Sequence, residues 1–93
     1  MATYLMFGKY TSEALKGISA ERTSKATDLI KKNGGKVISQ YALLGEKDLL
    51  LIVDFPSADG AIKASIEIGK LTGIGFSTSP AVPVEAFDRL VSG

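Results

Sequence analysis

The chain has no cysteine, no histidine and no tryptophan among its 93 residues. Without cysteine there are no disulfides and no thiolate chemistry. Without histidine the usual general base, the commonest metal ligand and an axial imidazole for haem are all missing. Ser77 and Ser79 therefore have no imidazole to activate them, which excludes Ser-His nucleophilic catalysis. Charge of one sign is missing too. Eleven Lys and Arg face ten Asp and Glu, for a net charge of +1, and so small an imbalance argues for neither nucleic acid nor an anionic membrane as partner. The one local basic cluster, Lys31, Lys32 and Lys36, falls near a predicted helix end, where cations complement the helix dipole. No apolar run approaches the roughly 18 residues of a membrane span. Met1-Ala2-Thr3-Tyr4 does not read as the start of a signal peptide. No carboxylate pair has a spacing specific to a metal site or a glycosidase. Gly73-Ile74-Gly75 precedes a predicted strand, so it is not a phosphate cradle. The expectation is a cytoplasmic protein with no metal and no cofactor.

What is present is a globular composition, 45% hydrophobic and 23% charged, at a length that suits one domain over residues 1–93. The most informative stretch is Lys47 to Phe55. Leu49, Leu51, Val53 and Phe55 lie on one side of a strand, and Leu50 and Ile52 on the other. Neither side reads as water-facing. Residues 3–10 behave alike, with Leu5 and Phe7 on one side and Tyr4, Met6 and Tyr10 on the other.

Thr11 and Ser12 cap a short turn that Gly17 ends, and Ser19 caps a helix over about 20–32 with Ala26, Leu29 and Ile30 as its apolar stripe. Asn33-Gly34-Gly35 stops it. Residues 36–44 read as a second strand, and Gly45-Glu46-Lys47 turns it into an antiparallel third. Pro56 ends that strand and Ser57 opens a helix over about 58–71, with Ile62, Ile66 and Ile68 as its apolar bulk. Residues 74–79 form a fourth strand, Pro80 to Pro83 a break, and Pro83 starts a short last helix with Phe87, Leu90 and Val91 on one side.

The order β-α-β-β-α-β with a terminal helix predicts an α+β, ferredoxin-like fold. Right-handed crossovers put both long helices on one face of a four-stranded antiparallel sheet. Tyr4, Met6, Leu50 and Ile52 are the expected interface residues of the other face, covered by a second copy of the chain.

The chain resembles the GYD domain family, small proteins of the dimeric α/β-barrel type. The carriers are Tyr10-Thr11 with Leu15, Lys16 and Ile18 after it, then Arg22, Gly34-Gly35-Lys36-Val37, and the Tyr41 strand leading into Gly45-Glu46-Lys47-Asp48. The family is named for a Gly-Tyr-Asp sequence at this turn. Here Gly45 is followed by one extra residue, Lys47 stands in the tyrosine's place, and Asp48 follows. The resemblance implies homo-oligomers built through the sheet face and brings no established substrate or reaction.

Five residues are candidates for ligand binding. Tyr10 and Tyr41 are either phenolic donors to a ligand or amphipathic interface fillers. Asp48 is either a carboxylate at a pocket mouth or an acceptor that fixes the turn. Lys16 and Arg22 either hold an anion or are solvated partners of Glu13 and Asp28. The leading expectation is a homo-oligomeric small-molecule-binding or interaction module whose partners are itself and a small apolar ligand. The alternative is a cofactor-free oxygenase or isomerase acting on an apolar or aromatic compound, in a pocket lined by Tyr10, Tyr41, Phe7 and Phe76.

Overall fold

In a computed structural model, which describes residues 1–92, the order is β1 (Ala2–Lys9), α1 (Ser12–Lys16), α2 (Ala20–Lys32), β2 (Lys36–Ala42), β3 (Leu49–Phe55), α3 (Ala58–Thr72), β4 (Gly75–Ala81) and α4 (Val84–Ser92). The strands form one antiparallel sheet in the order β2-β3-β1-β4. This is the ferredoxin-like arrangement. Helix starts follow the caps. Thr11 Oγ1 accepts from the Ala14 amide and Ser19 Oγ from the Arg22 amide, each at 3.0 Å. Ser57 occupies the cap position of α3 without making that bond. Gly73, at φ 80°, ends α3 in a left-handed conformation that a side chain would strain.

The core lies between the sheet and the helices α2 and α3. Tyr4 and Met6 of β1 and Leu51, Val53 and Phe55 of β3 meet Ile30 of α2 and Ala61, Ala64 and Ile68 of α3. Phe55, Val53, Met6 and Ile68 are fully buried. Two sequence expectations are corrected here. Tyr4 and Met6 are not on the free face of the sheet. They pair in register with Val53 and Leu51, so they share those residues' helix-covered side. Leu5 and Phe7 take the free face instead, opposite Ile52 and Leu50. In α3, Ile62 and Ile66 are more than half exposed, and the small residues Ala61 and Ala64 face the sheet. Small side chains let the helix sit close, near enough for the Ser65 and Thr78 hydroxyls to lie 2.8 Å apart.

Pro80 does not end the fourth strand. β4 runs through it to Ala81, because it is an edge strand and proline's missing N–H costs nothing on an unpaired side. β2 carries a bulge at Ile38. Val37 pairs with Val53 and Ser39 with Ile52, so Val37 faces the helices while Ser39 and Tyr41 face away.

The face opposite α2 and α3 carries half-buried side chains that lie outside the described core. Leu5, Phe7, Leu50 and Ile52 form its apolar centre by register. Ser77 and Ser79 flank it on β4, and Ser39 and Tyr41 on β2. The Thr3 hydroxyl donates to Asp54 at 2.8 Å at one end. α4 buries none of its residues and packs on no other described element to any extent. Val84, Phe87, Leu90 and Val91 are all more than half exposed. No helix among the described residues is long and apolar enough to cross a membrane.

Candidate functional site

Asp48 organises one end of the sheet. Its backbone amide donates to the Gly8 carbonyl at 2.9 Å, which closes the β1–β3 ladder. Its carboxylate Oδ2 accepts from the Tyr10 amide at 2.8 Å, with the Lys9 ammonium 3.8 Å away. The chain leaving β1 is thereby turned so that Tyr10 sits beside the start of α2. Of the two roles open to Asp48 from sequence, its contacts are those of the turn-fixing acceptor.

Arg22 reaches the same place from α2. One guanidinium nitrogen donates to the Ala14 carbonyl, and the group lies over the Tyr10 ring with 5.5 Å from Cζ to the ring centroid. Cation–ring attraction and a charge-assisted hydrogen bond fix it there. Arg22 is half-buried, and among the described residues no carboxylate lies within ion-pair distance of it.

Between α2 and the sheet these side chains border a cavity of about 50 Å³. Its inner wall is apolar, with Ala26, Ile30, Leu49, Leu51, Ile68, Ile74 and Phe76. Its outer wall is polar, with Tyr10, Arg22, Thr23, Thr27 and Gln40. A shallower hollow of about 360 Å³ adjoins it, sharing Tyr10, Thr23, Gln40 and Leu49 and bordered also by Ile18, Tyr41 and Ala42.

Tyr10, Arg22 and Asp48 are thus brought together, although Asp48 does not line the cavity. Tyr41 borders the outer hollow and is 54% exposed. Lys16 is exposed on α1 and lines neither space. Phe76 lines the cavity as expected, but Phe7 lies on the other face of the sheet, so the four-residue aromatic pocket does not form. Thr27 and Gln40 were not singled out from sequence. Gln40 carries a signal in retrospect, being a polar residue opposite Leu51 on the inward side of a strand. Among the described residues no group of three acidic or other ligating side chains is placed to hold a metal.

The sequence matches the GYD domain over residues 4–91, nearly its whole length. The chain belongs to the GYD domain family. Comparison with curated proteins finds no match. Among solved structures, this GYD chain is similar to the leucine response regulatory protein LrpA of Mycobacterium tuberculosis, with a TM-score of 0.57 and 12% identity. The likeness covers 88% of this chain and 51% of that one, so the GYD chain spans about half the length of the protein it matches. At that identity the shared property is the fold.

Proposed function

We propose that this GYD protein is a homo-oligomeric binding or interaction module, of the dimeric α/β-barrel type, that assembles through the free face of its sheet. One observation carries the reading: Leu5, Phe7, Leu50 and Ile52 form an apolar row on the face opposite α2 and α3, each half-buried within the sheet and outside the described core. Around it lie Ser39, Tyr41, Ser77, Ser79 and the Thr3–Asp54 pair, which is the arrangement of an apolar interface centre with a polar rim.

Size supports it. A compact monomer of 9.8 kDa exposes about 5,200 Å², whereas this chain exposes 6021 Å². The difference, roughly 800 Å², equals one partner's share of a standard interface, with the exposed side chains of α4 contributing to it alongside the sheet face. At about 25 cal/mol per Å², covering half of it with apolar contact is worth about 10 kcal/mol before the cost of association. That rivals the net stability of a whole small domain. The small-molecule part of the reading rests on the cavity behind Tyr10 and Arg22. A regulatory protein is built on the same fold, which agrees with binding rather than catalysis.

The test is Ile52→Lys, followed by sedimentation velocity. The wild type is expected to sediment as an oligomer at micromolar concentration, and the variant to dissociate or unfold. A wild-type monomer, or an unchanged soluble oligomer in the variant, overturns the proposal.

A further inference from the structure

We infer that the cavity beside α2 takes a small carboxylate with a short aliphatic tail, the carboxylate held at the rim by Arg22 and the tail in the apolar chamber. The inference deepens the small-molecule part of the proposed function and rests on it.

Three observations point to this class. The first is charge. Arg22 is half-buried at the cavity wall, and its contacts are a carbonyl and an aromatic face, not an anion. A guanidinium has five N–H donors in a planar fork, so most remain to grip a carboxylate. A cation withdrawn from water is stabilised by an anion, and among the described residues none lies within ion-pair distance. Asp48, the carboxylate that turns the chain at Tyr10, is engaged by the Tyr10 amide and Lys9 and does not line the cavity.

The second is the kind of polar group at the rim. Tyr10 and Gln40 both line the cavity, and among the described residues neither side chain takes part in a side-chain hydrogen bond. Together with Arg22 they put three donor-bearing residues around one cavity, which suits an acceptor-rich head group. The hydroxyls of Thr23 and Thr27 donate to the carbonyls of Ser19 and Thr23, so their hydrogens are already committed.

The third is size. An apolar cavity that admits benzene measures about 150 Å³. The chamber here is about 50 Å³. A ring is too large for it, and a short, branched aliphatic group is of the right order. The chamber therefore suits the small apolar ligand of the leading expectation better than the aromatic compound of the alternative one.

The experiment uses the full-length chain, amide-labelled for NMR, and three probes of one shape: 2-methylpropanoate, 2-methylpropan-1-ol and 2-methylpropylammonium, each at millimolar concentration. Saturable shifts are expected at Ala26, Thr27 and Leu51 with the carboxylate. The alcohol should bind about tenfold more weakly or worse, as loss of a charged hydrogen bond requires. Arg22→Gln should reduce carboxylate affinity about tenfold and leave the alcohol unchanged. Because Arg22 also ties α1 through Ala14, Ala26→Leu serves as a second variant. It fills the chamber and should abolish binding of all three probes with the spectrum still dispersed. Equal or tighter binding of the alcohol or the ammonium overturns the carboxylate class and leaves a small-molecule site standing. No saturable shift with any probe overturns both. Light scattering on the same samples reads assembly separately.

Discussion

Gly35 shows how one atom can set the packing of this fold. A Cβ at Gly35 would enter the Phe55 ring, coming within 2.7 Å of Cζ, and Phe55 is fully buried. The ring is also hemmed in at Gly60 of α3, where an added Cβ would come within 2.9 Å of Phe55 Cδ1. Gly35→Ala is expected to destabilise the protein by about 2 kcal/mol through overpacking, lowering the melting temperature by on the order of 10 °C. Thermal denaturation followed by circular dichroism checks this, and a melting temperature within a degree or two of wild type would refute it. The glycine pair was legible as a helix stop, but its contact with Phe55 was not, since that needs α2, β2 and β3 together. The same limit explains Tyr4 and Met6. Both sides of β1 carry similar apolar bulk, so periodicity shows a strand buried on two faces and leaves open which face meets the helices. That choice is made by register, Tyr4 against Val53 and Met6 against Leu51. At the candidate site, Tyr10, Arg22 and Asp48 were legible as residues. The partner of each, Ala14 for Arg22 and the Tyr10 amide for Asp48, comes only from the folded chain.

Between elements, the contact that most repays attention is Asn33. Its side-chain amide nitrogen donates to the Leu29 carbonyl at 2.8 Å and to Glu67 Oε1 at 2.7 Å, joining the end of α2 to α3. The hydrogen bond from Asn33 holds the Glu67 carboxyl below the usual carboxylate range, opposed by partial desolvation and aided by Lys32, Lys63 and Lys70. A carboxylate whose pKa is depressed by folding adds stability that is present above its unfolded pKa and lost as pH falls through the folded one. Acidification through and below the ordinary carboxylate range should therefore weaken the α2–α3 junction. Glu67→Gln keeps an oxygen to accept from Asn33 and removes the titration. Urea midpoints measured from pH 7 to pH 3 should fall less for Glu67→Gln than for the wild type, and parallel curves would remove Glu67 from the account. The element order, the β2–β3 hairpin and the helix caps were readable because each has a local cause, in Thr11, Ser19, Gly34 and Gly45. The bulge at Ile38 and the outward turn of Ile62 and Ile66 were not. A bulge answers to the twist of the neighbouring strand, and Ile62 and Ile66 read as core because hydrophobicity alone does not say which stripe of a helix turns inward.

At the scale of the molecule, α4 is the unresolved debt of the isolated chain. Nine residues of helix with Val84, Phe87, Leu90 and Val91 in water are not stabilised by propensity alone. The helix also stretches the molecule, whose radius of gyration is 13.9 Å and longest extent 49 Å, against a radius of about 12 Å for a compact chain of this length. Its charged residues, Glu85, Asp88 and Arg89, sum to a negative charge, which disfavours an anionic bilayer and leaves a protein surface as the natural cover. If that surface belongs to a second copy, folding and association are linked, and stability depends on protein concentration. The melting temperature of the full chain should then rise by a few °C per tenfold increase in concentration, the slope that mass action gives a dimer of this size. Phe87→Asp puts a charge in the middle of the apolar side without touching the core. It should lower the melting temperature at every concentration and shift the monomer–oligomer midpoint to higher concentration. Scanning calorimetry over a hundredfold range of both proteins decides the matter: a melting temperature independent of concentration in the wild type would mean that α4 and the free sheet face remain in water, and the assembly would have to be abandoned.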